Sequence, residues 1–387
     1  MKIVCTAVLA LFCFATFASA QQKCADWPEF LNTNMRRENP CETILNVNNV
    51  ANLTLKWSYA PQVGDPITSP VVANGTVYFG AGWDVYALNA STGALAWDDH
   101  APVYFVNSTP ALAYGAIYVG SQDNHLYALN AQTGHVLWSF AVNDNGGEGT
   151  PSAATVLNGV VYFGAYDGNV YALDARSGAK LWSYQTGYLI FDSPAVVNNV
   201  VYVGSGSNVF ALDATSGTLQ WTSRLSGLVK TASPAVADGV VYIATAGSPD
   251  YLYAIDAATG ALLWSEKAKT NSEEIDASPA LAYGNVYVGI EDTSIDDFYA
   301  LNGGTGAVRW SYSTGGEGDG IYSAPAVANG VVYFGSRDDG NMYAFNATTG
   351  TKLWSYPVKG LVWGSPVVSN GMVYITTTTD LYAFGLN

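Results

Sequence analysis

The chain has 387 residues, of which 49% are hydrophobic and only 12% charged, and its formal net charge is −16. No apolar run after the first twenty residues approaches the roughly 20 needed to span a bilayer as a helix, the apolar content is too high for a disordered chain, and the acidic balance argues against a nucleic-acid-binding surface. Gly (40), Tyr (26) and Trp (11) are abundant, a mix that points to β-structure.

Residues 1–20 read as a secretory signal peptide: Met1-Lys2, an apolar stretch from Ile3 to Phe17, then the small-residue site Ala18-Ser19-Ala20. Cys24 follows Gln21-Gln22-Lys23 rather than the cleavage point, so no lipid or membrane anchor is expected, and the mature chain reads as secreted, extracellular or periplasmic. Cys5 and Cys13 leave with the signal. Cys24 and Cys41 remain as an even pair, expected to form one disulfide that pins an N-terminal arm over residues 21–51. The chain carries no CxxC pair and no CxxCH, so neither a redox dithiol nor a c-type haem is expected.

A repeat of forty-odd residues then runs to the C-terminus. Each unit begins Ser-Pro-x-Val or a variant, passes an Asn-Gly pair, and continues through Val-Tyr-Phe-Gly and Val-Tyr-Ala-Leu to a closing Trp. The prolines are read at Pro70, Pro110, Pro151, Pro194, Pro234, Pro279, Pro325 and Pro366. The closing tryptophans are Trp97, Trp138, Trp182, Trp221, Trp264, Trp310 and Trp354, one fewer than the prolines. The missing closing segment stands at the other end of the repeat array, as Leu53-Thr54-Leu55-Lys56-Trp57. Asn-Gly is a two-residue hairpin turn, and a strand such as Val160-Val161-Tyr162-Phe163 is apolar at every position, so neighbouring sheets must cover both of its faces. A closed radial array does this and removes most edges. Residues 52–387, divided among eight units, give about 42 residues each. The expectation is an all-β, eight-bladed propeller of four-stranded antiparallel blades, its ring closed by an N-terminal strand, behind the signal peptide (1–20) and the arm (21–51).

The closing segment, Ala-x-Asn/Asp-x-x-Thr/Ser-Gly-x-x-x-Trp, recurs seven times, from Ala87 to Trp97 through Ala344 to Trp354. It resembles the tryptophan-docking motif of the pyrroloquinoline quinone (PQQ) repeat family, which includes the quinoprotein alcohol dehydrogenases. The arm, with Asp26-Trp27-Pro28-Glu29-Phe30 and Asn39-Pro40-Cys41-Glu42, is similar to the leader of polyvinyl-alcohol-dehydrogenase-like secreted propellers. The resemblance covers about residues 27 to 387 and implies that Trp57 and the seven closing tryptophans pack between blades.

In the enzymes of that family PQQ lies over an aromatic ring at the axial entrance, beside a divalent cation and a basic residue, with a nearby Asp as base. The residues three before each proline, here Ile67, Asn107, Glu148, Phe191, Thr231, Asp276, Tyr322 and Trp363, are expected to line that funnel. The resemblance makes Trp363, Tyr322 and Asn107 the cofactor-binding candidates, Glu148, Asp192 and Asp276 the metal-ligand candidates, and Asp192 or Asp276 the catalytic candidate, with PQQ and Ca²⁺ as the implied cofactors. Departures from the family are the missing adjacent-cysteine disulfide ring and the missing long insertions. Most acidic residues fall in the inter-blade and middle loops, which makes one face acidic: it would attract cations or a cationic partner, or serve solubility. The leading reading is a monomeric, secreted binding or scaffold protein that takes a small-molecule or protein partner on this face. The alternatives are a PQQ- and Ca²⁺-dependent alcohol dehydrogenase and an outer-membrane assembly-type scaffold. Five glycosylation sequons, at Asn52, Asn74, Asn89, Asn107 and Asn346, are also present.

Overall fold

The computed structural model describes residues 26–32, 35–62, 67–99, 105–106, 108–142, 151–247, 251–267, 275, 277–290, 298–315, 320–337 and 339–387. Asn107, Glu148, Asp276 and Cys24 lie outside these residues. Within them the chain is almost wholly β, with one 3₁₀ turn at Val50–Asn52. Eight small antiparallel sheets form an eight-bladed β-propeller. Blade 1 comprises Val71–Ala73, Thr76–Ala81, Asp84–Asn89 and Leu95–Asp99, from the axis outward, and the later blades repeat this order.

The hairpin between the two inner strands turns on Asn74 (φ 53°) and Gly75 (φ 77°), the pair of left-handed residues that a type I′ turn requires. Blades 2 and 6 place Tyr114 and Tyr283 at the first of these positions, in a conformation that bulky residues seldom adopt. The second strand of each blade is buried along almost its whole length, because adjacent blades cover it on both sides. In blade 4 the two middle strands run together as Val200–Asp213, and the outermost strand extends over Leu219–Val229 to pair with Gly206.

Between blades the closing tryptophan is the hinge pin. Trp97 Nε1 donates to the Ala131 carbonyl (3.1 Å), and Tyr78 Oη of the same blade donates to the same oxygen (3.2 Å). Trp182 and Tyr162 share the Ala214 carbonyl in the same way, at 2.9 and 3.2 Å. The motif glycine lies beneath the indole: a Cβ on Gly217 (φ 70°) would stand 2.6 Å from the Trp182 ring. Ring closure uses Thr54–Tyr59, which pairs antiparallel with Leu381–Gly385, and Trp57 then docks on the Ala90 carbonyl of blade 1 (3.1 Å).

One repeat register differs from the sequence expectation. Gly80, Gly120, Gly204 and Gly335 each donate a backbone N–H to the side chain twelve residues earlier, at Thr68, Ser108, Asp192 and Ser323. In blade 3 Gly164 donates to Ser152 (3.0 Å), so Ala154, not Pro151, holds the repeat-proline position. Pro151 instead takes the place three residues earlier, bridging to Ala165 as Ile67 bridges to Ala81. The ring position assigned to Glu148 therefore belongs to Pro151.

Candidate functional site

The innermost strands leave a ring of inward-facing backbone groups around the axis, and an unpaired N–H there would be costly. The N-terminal arm satisfies most of them at one end. Val72 and Leu112 donate N–H to the Trp27 and Pro28 carbonyls, both at 2.7 Å. Val156 donates to Glu29 Oε2 (3.0 Å). Val236, Leu281 and Val327 donate to the Met35, Arg36 and Arg37 carbonyls, at 3.0, 2.8 and 2.9 Å. All six donors occupy the same position in their blades. Glu38–Asn39 then pairs in parallel with Ala326–Ala328.

At the centre of this plug sits Arg37, wholly buried. Its Nε and Nη2 donate to the Pro325 and Pro366 carbonyls, both at 2.8 Å, and Nη1 donates to the Phe30 carbonyl. Trp27 and Phe30 offer their ring faces to the guanidinium, with centroids 5.3 and 4.7 Å away. Burial lowers the Arg37 pKa to about 9 and raises that of Glu29 to about 8, the latter despite the Val156 N–H. The arm also reaches the hairpin turns: Asp26 accepts from Asn74 N (3.1 Å) and Glu42 from Gly371 N (2.9 Å). The plugged end is thus the hairpin-turn face, opposite the inter-blade loops, and among the described residues the axial channel opens on the loop face.

Hydroxyl groups line the waist of that channel. Ser193 N donates to Ser233 Oγ, Ser233 N to Ser278 Oγ, Ala324 N to Ser365 Oγ and Ser365 N to Ser69 Oγ, all within 3.0 Å, so each link joins one blade to the next. Above the waist, on blades 2 to 5, a cavity of about 240 Å³ has Phe30 of the arm as its floor and Thr109, Ser193, Thr231, Tyr166 and Phe191 in its wall. Tyr166 and Phe191 pack ring against ring at 4.6 Å.

Two of the cofactor-binding candidates come together at the mouth on blades 7 and 8. The rings of Tyr322 and Trp363 lie 5.3 Å apart, and the Arg337 guanidinium stands 4.9 and 4.7 Å from their centroids. Trp363 keeps 44% of its surface exposed. Arg337, in the middle loop of blade 7, had no sequence motif to mark it; only its place beside two aromatic ring-position residues singles it out.

Asp192 has a different setting. It is 1% exposed, its Oδ2 accepts from Gly204 N (3.0 Å), and Oδ1 has no hydrogen-bond partner. It stands where Thr68, Ser108, Ser152 and Ser323 stand in other blades, and burial drives its pKa well above the usual carboxylate range. This is the environment of a neutral acid bracing a strand. Among the described residues no group of three or more His, Cys, Asp and Glu could hold a metal ion. The described residues fit a planar anion at the Arg337 cluster; the Asp192 carboxyl, turned onto backbone and held toward its neutral form, does not fit a divalent cation.

Several loop acids also have internal work. Asp123, Asp167 and Asp339 each accept a backbone N–H from two residues on, and the Tyr hydroxyl four residues on, at Tyr127, Tyr171 and Tyr343. They cap their turns, so the acidity of this face is partly the repeat's own turn chemistry.

A family model described as outer membrane protein assembly factor BamB matches residues 49–205 and again 190–384. The chain belongs to the PQQ-repeat propeller family. As a PQQ-repeat propeller it is 31% identical, over 147 residues, to the quinohemoprotein alcohol dehydrogenase of Comamonas testosteroni, a match spanning 34% of this chain and 20% of that protein. It is 31% identical over 140 residues to the quinoprotein ethanol dehydrogenase of Pseudomonas aeruginosa, spanning 33% and 22%. These matches cover about a fifth of each relative. Among solved structures, BamB from Moraxella catarrhalis aligns with a TM-score of 0.67 at 21% identity, over 87% of this chain and 98% of that one. A europium-containing methanol dehydrogenase aligns with a TM-score of 0.75 at 16% identity, over 94% and 98%. At these identities the solved structures show the shared fold.

Proposed function

We propose that this PQQ-repeat propeller is a secreted, non-catalytic binding protein that takes its ligand or partner through the loop face. The observation that carries this reading is the one-ended channel. The arm closes the hairpin-turn end by accepting six backbone N–H groups, five on its carbonyls and one on the Glu29 carboxyl, and with the Arg37 guanidinium, and the open end leads to a cavity walled by hydroxyls and aromatic rings. Asp192, the catalytic and metal-ligand candidate within the described residues, is spent on Gly204. The test is to incubate the purified protein with PQQ and Ca²⁺ and to measure binding, and dye reduction with alcohols. No dye reduction is expected; reduction that depends on both additions overturns the reading.

A second reading, a PQQ- and Ca²⁺-dependent alcohol dehydrogenase, draws support from the Arg337, Tyr322 and Trp363 cluster and from the names of the relatives. In that reading Trp363 and Tyr322 would hold the quinone ring and Arg337 a carboxylate, and the bound quinone would supply two-electron oxidation. Loss of PQQ binding in Arg337→Ala, with folding intact, would support it. The BamB description of the family model supports an assembly-scaffold reading, for which co-purification with an outer-membrane partner is the check.

A further inference from the structure

We infer that the cavity on blades 2 to 5 binds a neutral, polyhydroxylated small molecule with a ring of sugar or cyclic-polyol size. The inference deepens the binding reading above by naming its ligand class.

The decisive groups are two hydroxyls. Thr109 and Ser193 line the cavity and are 8% and 4% exposed, so both are nine-tenths buried. The other serines at this level are engaged: Ser108 Oγ accepts from Gly120 N (2.7 Å), Ser152 Oγ from Gly164 N (3.0 Å), and Ser233 Oγ from Ser193 N (2.9 Å). The side-chain hydroxyls of Thr109 and Ser193 have no partner anywhere in the described chain. Neither oxygen is sealed from solvent, so water serves such hydroxyls in the free protein and a ligand hydroxyl can take its place. Two of them, on blades 2 and 4 and turned to one cavity, mark a place where a bound molecule completes the hydrogen bonding.

The chemistry of the wall fixes the class. Every hydroxyl both donates and accepts, so the wall matches ligand hydroxyls and has no preference for an anion or a cation. Among the described residues no Asp, Glu, His, Lys or Arg lines this cavity; the Arg337 cluster belongs to blades 7 and 8. Phe30 below and the Tyr166–Phe191 pair at the side supply apolar surface. A molecule with hydroxyls on its edge and C–H groups on its face meets both demands. The volume, about 240 Å³, has room for several waters and so for one such ring.

The experiment titrates the full-length mature protein with glucose, galactose and myo-inositol, and with gluconate as the anionic control, by calorimetry. Saturable binding of at least one neutral compound is expected, with gluconate bound more weakly. Thr109→Val and Ser193→Ala should each weaken binding about three- to ten-fold, the worth of one neutral hydrogen bond. Neither variant should lower the melting temperature, because neither hydroxyl bonds within the chain. Unchanged affinity in both variants, or no saturable binding of any neutral compound, overturns the inference. Its failure is separable from that of the non-catalytic reading: PQQ-dependent dye reduction leaves the ligand class standing, and absence of sugar binding leaves the one-ended binding channel standing.

Discussion

Trp354 Nε1 donates to the Leu53 carbonyl at 3.1 Å, across 301 residues of chain. This is the seam of the ring. Elsewhere a docking carbonyl receives two donors, the indole N–H and a tyrosine hydroxyl from the second strand of the same blade. At the seam the receiving segment is the 3₁₀ turn Val50–Asn52 and Leu53, arriving from the arm rather than from a Thr-Gly turn. The second donor is then stranded: Tyr333 is fully buried and its hydroxyl has no partner. Tyr333→Phe is expected to leave stability unchanged or raise it by about 1 kcal/mol, whereas Tyr162→Phe, which frees the Ala214 carbonyl of one donor, should lower it by about 1 kcal/mol. Urea unfolding of the two variants side by side is the check; equal losses would mean that Tyr333 has found a partner.

Arg37 ties the arm to blades 7 and 8 through the Pro325 and Pro366 carbonyls. Removing a buried guanidinium leaves these oxygens without their donor. Arg37→Ala should cost about 3–5 kcal/mol and release the arm to protease. Arg37→Lys should rescue little, because an ammonium lacks the planar fork that reaches three carbonyls. Limited proteolysis with N-terminal sequencing reads the outcome.

Glu29 gives the plug a pH dependence of known sign. Its folded pKa, about 8, stands above the ordinary carboxyl value of 4.5, so the native state holds a proton that the unfolded chain loses first. Its contribution is fully favourable below about pH 4.5, weakens by up to about 1.4 kcal/mol per pH unit as the pH rises, and levels off above about 8. Glu29→Gln keeps an oxygen for Val156 N–H and carries no charge. It should flatten this part of the stability profile and raise the melting temperature at pH 8; parallel profiles for the two proteins would show that Glu29 is ionised throughout.

Asp192 can be replaced by the residue its own repeat uses. Serine at the matching place in blades 2, 3 and 7 accepts the same backbone N–H. Asp192→Ser is expected to fold, to be more stable at pH 7 than the parent, and to lose the part of the stability that the parent gains on acidification toward pH 4, since the raised carboxyl pKa penalises the native state only when the unfolded chain ionises. A destabilised but folded Asp192→Ser protein would show that the carboxylate has a partner of its own.

Cys41 is disulfide-bonded, and Cys24, its expected partner, lies outside the described residues. Peptide mapping without reduction should recover a Cys24–Cys41 linked pair. Closing a loop of this length constrains the unfolded chain by about 3 kcal/mol in the chain-entropy model, so reduction should lower the unfolding midpoint without abolishing the propeller.

The repeat alone determined the fold. Trp, Tyr, Gly and the hairpin-turn pair at fixed spacing state the blade, and the displaced Trp57 segment states how the ring closes, because both are read from a local pattern repeated around the chain. Copying hides what departs from it. Pro151 looked like the repeat proline of blade 3 until the Gly164–Ser152 hydrogen bond moved the register by three residues. Asp192 looked like a loop acid, and burial against Gly204 makes it a strand brace. The arm had no pattern to read, yet its carbonyls meet the same N–H in blade after blade, a match created only when the ring brings those donors together. The gathering of Tyr322, Trp363 and Arg337, and the cavity between Phe30 and Phe191, exist for the same reason: residues far apart in sequence share an axis only after the ring has closed.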